Sequence, residues 1–200
     1  MNLSDIKSIG ILGAGVMGGG IAQCAIQAGQ AVIIRDLSDE ILESTKDTIL
    51  NARFGFNNAV KMGKMTQDES DKAMSLLSYT TDVNDLKDCD LIIEAIGGGA
   101  DGAIENKPLK LKVWEEMDGV VKPEAIFASN TSMFTIADLA AVTNRKDRFI
   151  GMHLFSPANI MKLVEVTSTE ETDKAVEDLI VEMSESWGKT PIRLKDVPGD

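Results

Sequence analysis

The stretch that decides the fold is Ser8-Ile-Gly-Ile-Leu-Gly-Ala-Gly-Val-Met-Gly-Gly-Gly-Ile-Ala-Gln-Cys-Ala-Ile-Gln-Ala-Gly-Gln-Ala-Val-Ile-Ile-Arg-Asp36. Lys7–Leu12 reads as a short apolar strand, Gly15–Gly29 as a helix opened by glycines, and Ala31–Arg35 as a second apolar strand closing at Asp36. Strand, helix and strand in that order form a βαβ unit. Ser8–Ile34 carries no charge over 27 residues, long enough to resemble a membrane span. Its seven glycines and three glutamines argue against one, because they pack poorly in lipid, and Asp5 precedes it without a basic n-region or cleavage pattern.

Within that unit Gly13-x-Gly15-x-x-Gly18 falls at the join of strand and helix. The first glycine permits the tight turn, the second lets a pyrophosphate approach the backbone, and the third lets helix and strand pack closely, with the anion at the helix N-terminus. Asp36 follows 23 residues after Gly13, at the end of the second strand, where a carboxylate accepts both ribose hydroxyls of an adenosine and repels a 2′-phosphate. The spacing therefore predicts NAD rather than NADP. The fingerprint alone is also compatible with FAD, and the guanidinium of Arg35, beside Asp36, is compatible with NADP, although an arginine there more often covers the adenine face.

Outward from this unit the pattern continues with a long amphipathic helix over Asp39–Met62 and a shorter one, opened by the capping box Thr66-x-x-Glu69, through Leu77. Asp90–Ile96 is a further apolar strand, Glu105–Met117 a helix, Ala125–Ala128 a strand, Thr135–Val142 a helix and Arg148–His153 a strand. After Pro157 come a strand at Met161–Thr167, a helix at Thr172–Trp187 and a last strand at Thr190–Leu194. This alternation predicts an α/β fold of Rossmann type, a doubly wound, mostly parallel sheet with helices on both faces, formed by residues 1–200 as one dinucleotide-binding domain. The small-residue segment Gly97–Ala103 follows a strand directly and reads as an inserted surface loop.

The 200 residues are 44% hydrophobic and 26% charged, enough apolar material for a buried core. Twenty Lys and Arg against 32 Asp and Glu leave a net charge of −12, which excludes a phosphate-tracking basic surface, so neither nucleic acid nor an anionic membrane is expected as a partner. Cys24 and Cys89 are too few and too far apart for a disulfide framework or a zinc site, so buried thiols in a reducing, cytoplasmic compartment and no metal are expected.

In an open parallel sheet, ligands gather beyond the carboxyl ends of the strands. Polar residues at those ends are Glu94, the run Ser129-Asn130-Thr131-Ser132, and His153, the only histidine. Glu165 interrupts the apolar run Leu163–Val166, where a carboxylate needs a partner, and His153 is the natural one. An imidazole held by a carboxylate keeps one tautomer and gains basicity, as removal of a hydroxyl proton during hydride transfer requires.

The motifs Gly13–Ala22, Ser129–Ser132, Arg148–His153, Met161–Val166 and Val197-Pro-Gly199 together resemble the NAD-binding domain of the L-3-hydroxyacyl-CoA dehydrogenases, including their 3-hydroxybutyryl-CoA relatives. The resemblance covers essentially the whole chain. It implies NAD-dependent oxidation of an L-3-hydroxyacyl-CoA to the 3-ketoacyl-CoA, a step of fatty acid β-oxidation, with His153 as general base, Glu165 as its partner and Ser132 as a hydrogen-bond donor to the substrate oxygen. It also implies cofactor contacts by Gly13, Gly15, Val16, Met17, Gly18, Asp36, Glu105, Lys110 and Ser132, and an acyl-CoA facing the Asp39–Met62 helix. A helical domain that follows Pro-Gly in the family, and carries its homodimer interface, is absent here. Ser156 stands where the family usually has Asn, and Met133 where a second Ser is common. These departures keep open a related 3-hydroxy-acid dehydrogenase with a non-CoA substrate, and a non-catalytic NAD-binding module.

Overall fold

Ser8–Leu12 (β1) is buried along most of its length and pairs in parallel with Ala31–Arg35 (β2) on one side and Leu91–Glu94 (β4) on the other. Such a strand is apolar on both faces because helices cover both. The computed structural model describes residues 1–97 and 105–197. The sheet has eight strands in the order β3-β2-β1-β4-β5-β6-β7-β8, where β3 is Leu77–Thr80, β5 Ile126–Ser129, β6 Phe149–Leu154, β7 Leu163–Ser168 and β8 Thr190–Lys195. All neighbours run parallel except β6 and β7. The strand order reverses at β1, which lies between β2 and β4, as in a doubly wound sheet.

The helices are Val16–Gln27 (α1), Asp39–Asn51 (α2), Phe56–Lys61 (α3), Gln67–Ser75 (α4), Lys107–Val120 (α5), Ile136–Ala140 (α6) and Lys174–Ser186 (α7). One apolar cluster joins α1, α2 and α7 to one sheet face, through Ile21, Ile49 and Ile180. A second, centred on Trp114, Phe127 and Phe149, joins α5 and α6 to the other.

Most elements keep their expected ends to within three residues, as α5 does at Lys107–Val120 against Glu105–Met117, and two differ by more than end-fraying. The expected helix Asp39–Met62 is two helices, because the chain turns at Ala52–Gly55, where a Cβ on Gly55 would lie 2.7 Å from the Leu50 carbonyl oxygen. Leu77 does not end a helix; it opens β3, an edge strand of four residues whose half-polar sequence Leu-Ser-Tyr-Thr carries little periodic signal. The Thr135–Val142 helix shortens to α6, within the same margin. Thr66 and Glu69 do form the reciprocal capping box at the start of α4. The Gly97–Ala103 insertion, Gly97 apart, lies outside the described residues, as do Pro198 and Gly199.

Candidate active site

The carboxyl ends of β1, β2, β4, β5 and β6 share one edge, and the polar residues singled out there converge on it. Gly13 leaves β1 with φ at 100°, a conformation that favours glycine. A Cβ on Gly18 would lie 1.8 Å from the Gly13 carbonyl oxygen, so α1 can start this close to the strand only with glycine. Gly15 has open space where its Cβ would be, and no side chain caps α1. The first amides of a 12-residue helix are thus left for an anion. Val16 and Leu37 are each 77% exposed at the rim, apolar surface fit to face a flat ring. Met17 is half-buried and packs against the first apolar cluster.

Asp36 closes the turn. Its Oδ2 accepts the Ala14 N–H at 2.6 Å and its Oδ1 the Leu37 N–H at 2.6 Å, which fixes the carboxylate at the rim of the glycine turn. Thr45 of α2 donates its hydroxyl to the Ala14 carbonyl and holds the same turn from behind. The glycine cradle, free helix amides and anchored carboxylate fit a dinucleotide such as NAD.

On the far side of β1, the Ser129–Ser132 turn after β5 is held by Glu105. Glu105 Oε2 accepts the Thr131 hydroxyl at 2.6 Å, and its Oε1 accepts the Ser132 N–H at 3.0 Å and the Ser132 hydroxyl at 3.4 Å. Burial alone would raise the Glu105 carboxyl, but those hydrogen bonds and the Lys110 ammonium hold it below its ordinary range. Lys110 lies behind Glu105 rather than on the cleft surface. It is 2% exposed and sits between Glu94 and Glu105. Asn130, which has no separate role in the sequence reading of that run, accepts the Leu154 N–H at 2.9 Å and ties the turn to the end of β6.

His153 and Glu165 stand directly opposite each other in the antiparallel β6–β7 register. Nδ1 of His153 lies 2.9 Å from Oε2 of Glu165, and Phe155 packs on the imidazole with ring centroids 4.5 Å apart. With Nδ1 donating to the carboxylate, Nε2 is left as the acceptor. Beside this edge a cleft of about 570 Å³ opens between α1, α2 and Pro157–Asn159. It is narrowed by Gly19 and Gly20, whose Cβ positions would lie 3.0 Å from Thr45 and from Ala158. Arg53 lies over the Phe54 ring at the cleft wall. Among the described residues there is no group of three His, Cys, Asp or Glu side chains that could hold a metal ion, and no helix long and apolar enough to cross a membrane.

Comparison with known proteins matches residues 8–197 to the family described as 3-hydroxyacyl-CoA dehydrogenase, NAD binding domain. The chain belongs to this family. It is 38% identical to a probable 3-hydroxybutyryl-CoA dehydrogenase of Deinococcus radiodurans, over 95% of this chain and 64% of that one. It is 36% identical to the mitochondrial hydroxyacyl-coenzyme A dehydrogenase of Rattus norvegicus, over 97% and 60%. Among solved structures, (S)-3-hydroxybutyryl-CoA dehydrogenase from Ralstonia eutropha superposes with a TM-score of 0.88 at 38% identity, covering 97% of this chain and 65% of that chain. The chain therefore spans 60 to 65% of the length of these three relatives. NAD, expected from the glycine turn and Asp36, is the cofactor of the family.

Proposed function

We propose that the protein carrying this chain oxidises the 3-hydroxyl of an L-3-hydroxyacyl-CoA to the ketone with NAD, and runs the reverse reduction when NADH is abundant. The observation that carries this reading is the His153–Glu165 pair, 2.9 Å apart at the same sheet edge as the glycine turn. Oxidation removes a hydride from C3 and a proton from its oxygen. NAD, when bound, supplies the hydride acceptor. His153 takes the proton at Nε2, while Glu165 keeps Nδ1 protonated and stabilises the imidazolium that results. Ser132, held by Glu105 through its N–H, turns its hydroxyl from Glu105 to donate to the substrate oxygen and orients it.

Gly13, Gly15, Val16, Met17, Gly18 and Asp36 hold the dinucleotide, with Glu105 and Ser132 on its opposite side and Lys110 supporting them from within. The cleft between α1 and α2 receives the CoA arm, with Arg53 as the cation nearest its wall. The homodimer expected of the family belongs to the part of its length outside this chain. Two buried free thiols, Cys24 and Cys89, support a reducing, cytoplasm-like compartment.

The test is NADH consumption with acetoacetyl-CoA by the natural protein carrying this chain. Turnover that depends on acetoacetyl-CoA and is lost with free acetoacetate supports the reading. Turnover of the free acid alone favours a non-CoA 3-hydroxy acid, and NADH binding without turnover of either favours a binding module.

A further inference from the structure

Glu94 is the last residue of β4 and is fully buried, as is the ammonium that meets it, on Lys110 in the first turn of α5. The carboxylate divides its oxygens: Oε1 takes the Lys110 ammonium, and Oε2 accepts the Ser129 hydroxyl at 2.8 Å. Lys110 also reaches Glu105 Oε2 at 3.2 Å, and Glu105 holds Thr131 and Ser132. Ser129 closes the circuit, since its hydroxyl oxygen accepts the Thr131 N–H at 3.3 Å. Two routes thus run from one buried carboxylate to the exposed Ser132, one through Lys110 and Glu105, the other through Ser129 and Thr131.

Charges are seldom buried for stability, because similarly shaped apolar residues pack as well without desolvation. A fully connected polar network instead fixes one geometry. The charge balance here is also specific to that use, with two carboxylates sharing one ammonium. Burial pushes the Glu94 carboxyl up against the pull of Lys110 and Ser129, whereas Glu105 is held down, so Glu105 remains the ionised acceptor for the turn.

We propose that Glu94 is a positioning residue that sets the place of Ser132 through Lys110 and Ser129. The role of Ser132 toward substrate rests on the function proposed above, but its placement by Glu94 is measurable without it. Hydrogen exchange at the Ser132 amide, followed by NMR, reads whether Glu105 still holds that N–H. Glu94→Leu, of similar size but with no acceptor, is expected to speed exchange there by about tenfold or more while the amides of β1 and α7 stay within about twofold. Glu94→Gln, which keeps an acceptor for Lys110, is expected to restore protection to within about threefold of wild type. If Glu94→Leu does not fold, Ser129→Ala carries the test, since it removes one of the two routes without unbalancing the charges; about threefold faster exchange at Ser132 is then expected. In the natural protein, Glu94→Leu should lower kcat about tenfold, and should add nothing further in a Ser132→Ala background.

Unchanged Ser132 exchange in Glu94→Leu, or in Ser129→Ala where that is the variant available, overturns the proposal. So does acceleration spread evenly over the sheet, the mark of a merely structural role. Should Ser132→Ala leave kcat untouched, the substrate role of Ser132 fails while the exchange result still decides the positioning claim.

Discussion

His153 and Glu165 come together because β6 and β7 run antiparallel, which puts two residues 12 apart in sequence side by side on one sheet face. Their neighbours Met152, Leu154, Val164 and Val166 point into the core and leave both side chains no choice of face. This pairing was legible from a carboxylate interrupting an apolar strand and a single histidine in need of a partner. His153→Gln is expected to lower kcat by about 10²–10⁴ with NADH affinity unchanged, Glu165→Gln almost as much, and the double variant little more than either, as steady-state kinetics would show. Losses that multiply would mean that the two residues do not share one role. Gly18 makes a sharper demand, with no room for a Cβ against the Gly13 carbonyl. Gly18→Ala is expected to abolish detectable NADH binding while far-UV circular dichroism still reports a folded sheet; binding at wild-type strength would show that the turn can open without cost. The Glu94–Lys110–Glu105 cluster was less legible. Each residue was noticed separately, but only the approach of β4, α5 and the loop after β5 makes them one network.

Among elements, the long helices and buried strands followed their periodicity, and the misses fell where sequence carries least signal. Gly55 could have marked the break between α2 and α3, yet an isolated glycine in an amphipathic stretch is compatible with a continuing helix. β3 lies at the sheet edge, where packing decides more than pattern. Below α5, buried Arg145 ties that helix to the loop before β5: it pairs with Asp118 at 2.7 Å, donates to the carbonyls of Val121 and Ala125, and lies 4.0 Å from the Phe127 ring centroid. Burial would raise the Asp118 carboxyl, but hydrogen bonds from Asn144 and Arg145 outweigh it and leave it below its ordinary range. A depressed folded-state pKa contributes stability that is present above the unfolded carboxylate range and is lost as pH falls through the folded value. Asp118→Asn should therefore cost about 3 kcal/mol at neutral pH and flatten the acid limb of a denaturation series. A variant as stable as wild type at pH 7, with the same acid limb, would contradict this account of Arg145.

For the whole molecule, the alternation of strands and helices was enough to give the doubly wound sheet, and the strand-end rule singled out the edge at which Gly13, Asp36, Ser132 and His153 gather. What the alternation did not give was the reversal at β7, which comes from the chain direction after Pro157 rather than from any periodic feature. The glycine turn and Asp36, proposed above to hold the dinucleotide, both lie in the first βαβ unit, whereas the proposed CoA cleft is walled by α1, α2 and Pro157–Asn159 and reaches the surface. The chain alone is therefore expected to bind NADH but to reduce acetoacetyl-CoA poorly, since an open pocket neither excludes water nor fixes the thioester. Calorimetric titration of this chain with NADH and NADPH, before and after Asp36→Ala, tests the central claim most directly. NADH is expected to bind about tenfold or more tightly than NADPH, and Asp36→Ala to weaken NADH by about 1–3 kcal/mol and erase the preference. Equal affinity for the two cofactors, unchanged by the substitution, would contradict it.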